Sequence, residues 1–265
     1  AFNFPVAVWS WNAMIAMVCG DVCIWKPSSK VPLSAIATHK IIAEVFKANN
    51  VPEGVSSLMV SHSSIGEELA KDKRVPLLSV TGSTRVGKRV GAIVGERLGR
   101  VIQELGNNAI IISEHANMDI AIRAAVFGAV GTAGQRCTTT RRLIIHEKVY
   151  DDVIARLKKT YAQLRIGNPL DENNHVGPLI DTKAVDDYNA AIEKAIAEGG
   201  KILVEGGVCT GEGYDSGCYV KPCIIEADNS FEIVQHETFA PILYVMKYKT
   251  IQEAVAKHND VPQGL

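Results

Sequence analysis

Gly131-Thr132-Ala133-Gly134-Gln135-Arg136-Cys137-Thr138-Thr139-Thr140 is the stretch on which the reading of this chain turns. It holds one cysteine, an adjacent arginine, two glycines and a run of small hydroxyl residues. An apolar pattern of helical period over 118–130 runs into it, and a strand-like run over 142–146 leaves it. A cysteine at such a junction can sit at a helix terminus, where backbone N–H groups and the helix dipole favour a thiolate. Arg136 adds positive charge, and the small neighbours leave room for a substrate. The alternative is a buried structural thiol, since free cysteine is among the most buried residue types. On this stretch alone the structural thiol is the default, because cysteine motifs do not transfer between families.

Outward from Cys137, helices and strands alternate with short connections. Helical patterns cover 6–18, 65–71, 86–98, 149–164, 181–198 and 251–257, and Pro32 opens a further helix that closes before Asn49-Asn50. Strand patterns cover 22–26, 57–60, 75–80, 100–103, 109–113, 201–204, 220–226 and 241–248, and 206–217 reads as a glycine-rich surface loop. This alternation predicts an α/β fold with parallel sheets covered by helices. Such sheets bind ligands beyond the carboxyl ends of their strands. Lys26, Thr81-Gly82-Ser83 and Glu104 all fall just after strands.

The bulk numbers narrow the possibilities. Of 265 residues, 47% are hydrophobic and 22% charged, with a formal net charge of −1. No global field attracts nucleic acid or an anionic membrane. The six cysteines (Cys19, Cys23, Cys137, Cys209, Cys218, Cys223) form no Cys-x-x-Cys pair and no zinc spacing with histidine, so no metal site is expected. They read as reduced thiols of an intracellular protein. No apolar run approaches the ~20 residues of a membrane span, and no signal peptide is recognisable. The chain opens inside an apolar segment and stops just after a helical pattern, which reads as an internal piece of a longer protein.

Gly82-Ser83-Thr84-Arg85-Val86-Gly87-Lys88-Arg89 nearly matches a phosphate-cradling P-loop, but Arg89 replaces the hydroxyl that would hold Mg²⁺. What survives is a helix N-terminus suited to a phosphate or pyrophosphate, or simply a serine-capped helix. No Gly-x-Gly-x-x-Gly fingerprint is present. Lys26 can meet a sugar or phosphate, or be solvated. Glu104 can serve as a general base if partly buried, or lie on the surface. Glu237, two residues from Phe239, can grip a ribose beside a flat ring, or belong to a plain loop.

Six stretches taken together resemble the aldehyde dehydrogenase superfamily: Asn3-Phe4-Pro5, Trp25-Lys26-Pro27-Ser28, Thr81-Gly82-Ser83-Thr84, Glu104-Leu105-Gly106, Gly134-Gln135-Arg136-Cys137 and Glu237-Thr238-Phe239-Ala240-Pro241. They recur in the family's order across essentially the whole chain. Asn107-Asn108-Ala109-Ile110-Ile111 and the Cys137 stretch are most similar to the antiquitin branch, which oxidises α-aminoadipic semialdehyde. The resemblance implies a partial Rossmann-like NAD(P)-binding domain over 1–106 and an α/β catalytic domain over 107–265, with the C-terminal part of the latter missing. It implies Cys137 as nucleophile, Asn3 and the Cys137 N–H as oxyanion donors, and Glu104 as the base that activates the hydrolytic water. Lys26, Ser28, Gly82, Ser83, Glu237 and Phe239 would hold NAD, with NADP also possible. Arg136 would meet a substrate carboxylate, since guanidinium suits that fork. The expected partners are an aldehyde and further copies of the chain in a dimer or tetramer. The expected compartment is the cytoplasm, or the mitochondrial matrix in a eukaryote.

The chain departs from the family in places. Glu104-Leu105-Gly106-Asn107 has one glycine fewer than the family's Glu-Leu-Gly-Gly, which predicts a displaced base loop and weakened deacylation. Ser29 stands where many members carry a ribose-binding Glu. The alternative expectation is therefore a family member that keeps the scaffold as a binding or structural protein without turnover.

Overall fold

The computed structural model describes residues 1–62 and 64–265. Two compact units divide the chain, Ala1–Leu105 and Gly106–Leu265.

In the first unit α1 (Ala7–Val18) leads to β1 (Cys23–Trp25), α2 (Pro32–Ala48), β2 (Ser56–Leu58), α3 (Ser63–Lys71), β3 (Leu77–Thr81), α4 (Thr84–Glu96) and β4 (Arg100–Glu104). Pro32 occupies the first turn of α2, where its missing N–H costs nothing. Ser83 caps α4, its hydroxyl accepting from the Val86 N–H at 3.4 Å. The strands pair in parallel, β1 with β2 and β3 with β4, as two separate two-stranded sheets. Buried apolar packing is thin: Ala70, Val90 and Val94 meet Leu78, Val80, Ile93 and Val101. Trp25 stacks on Trp9 at 4.3 Å.

The second unit runs β5 (Asn108–Ile112), α5 (Met118–Val130), β6 (Thr140–His146), α6 (Tyr150–Tyr161), α7 (Thr182–Ala197), β7 (Lys201–Val204), β8 (Gly207–Val208), β9 (Val220–Lys221), β10 (Cys223–Glu226), α8 (Glu232–Gln235), β11 (Ile242–Tyr248) and α9 (Ile251–Asn259). Its main sheet has the order β5-β6-β11-β10-β7. All seven residues of β6 are buried between two parallel neighbours. A strand covered on both faces reads as a continuous apolar run, and Leu143-Ile144-Ile145 is one. On α5, Ile122, Ala125, Val126, Ala129 and Val130 form the buried stripe. On α6 the stripe is Val153, Leu157 and Tyr161.

Several expectations need correction. The sheet is not wholly parallel: β7 runs antiparallel to β10. Between them lies the antiparallel β8–β9 ribbon, so the chain doubles back instead of crossing over through a helix. That ribbon begins inside the glycine-rich 206–217 stretch. The strand expected over 220–226 breaks at Pro222, which has no N–H to give a ladder. The helix expected over 149–164 ends at Tyr161.

Candidate active site

The loop bearing Cys137 starts where α5 ends. Thr132 (φ 55°, ψ 36°) and Ala133 (φ 52°, ψ 40°) both lie in the left-handed region, and Gly134 follows at φ 68°. Two non-glycine residues there cost roughly 1–2 kcal/mol each, so surrounding contacts must hold them. Gln135 supplies some. Its amide nitrogen donates to the carbonyls of Thr132 (3.3 Å) and Pro178 (3.2 Å), and its oxygen accepts from the Ile180 N–H at 2.9 Å. At Gly134 a Cβ would run into the Ala240–Pro241 backbone, so glycine is required twice over.

A tight turn follows. The Arg136 N–H donates to the Thr139 hydroxyl at 3.1 Å, and the Thr139 N–H returns to the Arg136 carbonyl at 3.1 Å. Cys137 sits inside this turn, half-buried. Its carbonyl accepts from the Asn108 amide at 2.7 Å, and Gly106 packs so closely against it that any Cβ there would collide. The expected helix terminus at the thiol is absent. No helix begins at Cys137; α5 ends at Val130, a single 3-10 turn (Gly131–Gly134) follows, and the next element after the thiol is strand β6.

Glu237 and Phe239 belong to the same unit, and Arg141 ties them to this loop. The guanidinium of Arg141, itself 2% exposed, donates to the carbonyls of Thr238 (2.6 Å), Arg136 (3.0 Å) and Gly134 (3.4 Å). It also pairs with the Glu237 carboxylate at 3.4 Å, with both side chains almost wholly buried. The Phe239 ring lies 5.3 Å from its carbon centre. Burial pushes the Glu237 carboxyl up, and Arg141 opposes that shift. Burial lowers the Arg141 guanidinium, with Glu237 the main opposing charge. Sequence reasoning passes over Arg141. The available signal is two arginines at the start of an otherwise apolar strand, which predicts specific partners because buried charge needs them.

Arg136 points elsewhere. Its Nε donates to the Thr132 hydroxyl at 2.8 Å, and its guanidinium lies 4.9 Å from the exposed Phe127 ring. A cation–π and hydroxyl seat of this kind holds the side chain at the surface of the loop.

Arg142 is fully buried. It donates to Asn229 Oδ1 (2.9 Å) and to the carbonyls of Lys257 (2.7 Å), His258 (3.0 Å) and Asn107 (3.1 Å). The last turn of α9 is thereby tied to the start of β5. Asn107, the residue that follows the shortened glycine motif, is also fully buried and donates to the Val234 carbonyl at 3.0 Å.

The other candidates lie in the first unit. Lys26 follows β1, is half-buried, and donates to the Pro27 carbonyl at 3.0 Å. Burial lowers its ammonium. The Ser28 hydroxyl accepts from the Lys30 N–H at 3.3 Å. Thr81 and Glu104 are paired residues at the carboxyl ends of β3 and β4, and the Thr81 hydroxyl donates to the Glu104 carboxylate at 3.3 Å. Gly82 and Ser83 follow directly at the start of α4. A Cβ on Gly82 would meet only ordinary contact with Val86, so no close approach demands glycine there. Asn3 is half-buried before α1. Thus Glu104, Gly82 and Ser83 gather at one end of a strand pair, while the backbone of the Cys137 loop, Glu237 and Phe239 gather around Arg141, and the Arg136 side chain lies away from it on Thr132 and Phe127.

One buried arginine thus joins the loop that bears the half-buried Cys137 to the loop that bears Glu237 and Phe239, within an α/β unit. The chain belongs to the aldehyde dehydrogenase family, whose model matches residues 1–265. It is 50% identical over 267 residues to alpha-aminoadipic semialdehyde dehydrogenase from Bos taurus, covering 100% of this chain and 49% of that protein. It therefore spans about half the length of the curated relatives it matches. Among solved structures it resembles betaine aldehyde dehydrogenase from Staphylococcus aureus in complex with NAD+, at TM-score 0.92 and 29% identity over 98% of this chain and 51% of that one. It also resembles glyceraldehyde-3-phosphate dehydrogenase GapN from Methanocaldococcus jannaschii complexed with NADP, at TM-score 0.90 and 32% identity, covering 100% and 56% of the two chains. Among the described residues no group of three or more His, Cys, Asp or Glu is placed to hold a metal ion. No described helix is long and apolar enough to cross a membrane.

Proposed function

We propose that this chain carries the catalytic apparatus of an NAD(P)-dependent dehydrogenase that oxidises an aldehyde to a carboxylic acid. The observation that carries the reading is the joint pinning of the Cys137 loop and the Glu237–Phe239 loop in a member of this family. The Cys137 sulfur adds to the aldehyde carbon and forms a thiohemiacetal, with the Cys137 N–H and, on the family resemblance, the Asn3 amide assigned as donors to its oxyanion. One such donor is typically worth about 2.7–4 kcal/mol of barrier. When bound, a nicotinamide nucleotide supplies the hydride acceptor that turns this adduct into a thioester. Glu104 takes a proton from water, the resulting hydroxide attacks the thioester carbon, and the thiolate leaves with release of the acid.

The residues fit such a nucleotide. Glu237 offers a buried carboxylate for ribose hydroxyls beside the Phe239 ring, and Ser83 heads a 13-residue helix suited to pyrophosphate. Lys26, Ser28 and Gly82 would complete the binding set. The solved relatives bind NAD+ in one case and NADP in another, so both remain within the proposal. The bovine relative's name, with Arg136 beside the nucleophile, supports a semialdehyde that carries a distal charge. We assign the protein a homo-oligomeric state and a cytoplasmic or mitochondrial-matrix location on the same resemblance.

The test is Cys137→Ala in the purified protein. Loss of aldehyde-dependent NADH or NADPH formation by at least ~10⁴-fold, with an unchanged thermal midpoint, is expected. Retained turnover would refute the reading. Arg136→Ala should raise KM for a carboxylated semialdehyde far more than for a plain aliphatic aldehyde.

A further inference from the structure

Arg141 lies between two loops far apart in sequence. Two of its contacts, the carbonyls of Gly134 and Arg136, bracket Gln135 on the nucleophile loop. The other two, the Thr238 carbonyl and the Glu237 carboxylate, belong to the loop that ends at Phe239. A lysine ammonium is a single point on a flexible stem and cannot span these positions as the planar guanidinium fork does. Neither charge of the pair is near water: the Arg141 and Glu237 side chains are 3% and 6% exposed. Breaking such a pair leaves an uncompensated buried charge, which the surroundings relieve by moving or by taking up a proton.

We propose that Arg141 is a positioning residue that locks the Cys137 loop to the Glu237–Phe239 loop, so that a ligand engaging Glu237 changes the setting of the thiol. This rests on the functional reading above. Binding at Glu237 competes with, or adds to, the hydrogen bonds that Arg141 gives the same carboxylate. Any resulting shift of the guanidinium acts on the Arg136 carbonyl, one residue from the nucleophile.

The experiment follows Cys137 alkylation by iodoacetamide, resolved by peptide mass spectrometry, with and without NAD+, in the wild-type protein, Arg141→Met, Arg141→Lys and Arg141→Met/Glu237→Gln. In the wild type, NAD+ should change the Cys137 alkylation rate; in both single variants that dependence should vanish. Steady-state kinetics should show KM for the nucleotide raised about tenfold in Arg141→Met, with kcat falling less. The double variant should be non-additive with Arg141→Met and with Glu237→Gln measured in parallel. Full recovery by Arg141→Lys would show that charge alone suffices and would overturn the lock. So would a nucleotide-dependent alkylation rate that survives in Arg141→Met, or KM values within about twofold of wild type. If Arg141→Met does not fold, Arg141→Lys carries both readouts. The alkylation arm needs no turnover, so absence of aldehyde oxidation in the wild type defeats the functional reading while leaving Arg141 to be judged separately.

Discussion

Arginines tie loops together in both units, and Arg97 of the first and Arg142 of the second differ sharply in depth. In the first unit Arg97 donates to the Ala70 carbonyl at 2.7 Å and the Val75 carbonyl at 2.8 Å from a half-buried site. In the second, Arg142 is fully enclosed and makes four hydrogen bonds. The surrounding apolar packing differs in the same direction. The second unit buries a continuous cluster through β5, β6, β10 and β11. The first leaves Trp11, Ile15, Val18, Leu33 and Ile41 exposed, with Val18 at 89%. The strained backbone that carries Cys137 lies in the deeply packed unit, and the serine-capped helix α4 and the β3–β4 pair lie in the thinly packed one.

The largest effect should come from Arg142→Met, which strips four acceptors of their donor in an enclosed site. A loss of about 3 kcal/mol or more in urea unfolding of the second unit is expected. A loss similar to that of Arg97→Met would erase the contrast. Next is Gly106→Ala, which forces a methyl against the Cys137 carbonyl. We expect kcat to fall on the order of 10²-fold, since small displacements of a reacting group cost that much. Its urea midpoint should shift less than that of Arg142→Met.

Arg97→Met should cost only about 1–2 kcal/mol, read from the unfolding of the first unit. The smallest effect concerns Asp72, whose carboxyl is held at about 2 chiefly by its hydrogen bonds with Arg74, against an ordinary value of 3.8. Its folded value is depressed, so its contribution is present above pH 3.8 and fades as the pH falls through about 2. Asp72→Asn and wild type should therefore differ slightly at neutral pH in a urea midpoint series and converge on acidification. Divergence at low pH would contradict this sign.

Much of this architecture is written locally in the chain. The buried stripe of α5, the apolar run of β6, and the proline and serine starts of α2 and α4 follow from period and capping chemistry. What stays hidden depends on distant partners. Arg141 and Glu237 are 96 residues apart, and Arg142 reaches the His258 carbonyl across 116, so no periodicity announces either network. The antiparallel course of β7 depends on how the 206–217 stretch doubles back, and a glycine-rich composition does not specify that. Likewise Thr132 and Ala133 have no intrinsic preference for positive φ, and they take it in a loop whose anchors are Gln135 on the Thr132 carbonyl and Gly134 against the Ala240–Pro241 backbone.

That left-handed run has a consequence for anyone who would transplant the cysteine motif into another scaffold. Copied alone, the ten residues would relax to right-handed or extended backbone and swing the sulfur away. The graft would have to travel with its anchors: the 178–180 segment, the Asn108 amide, Gly106 and the Arg141–Glu237 pair. Portability here belongs to the whole second unit, and a motif search that scores only the cysteine neighbourhood will overestimate how many proteins can present the thiol in this way.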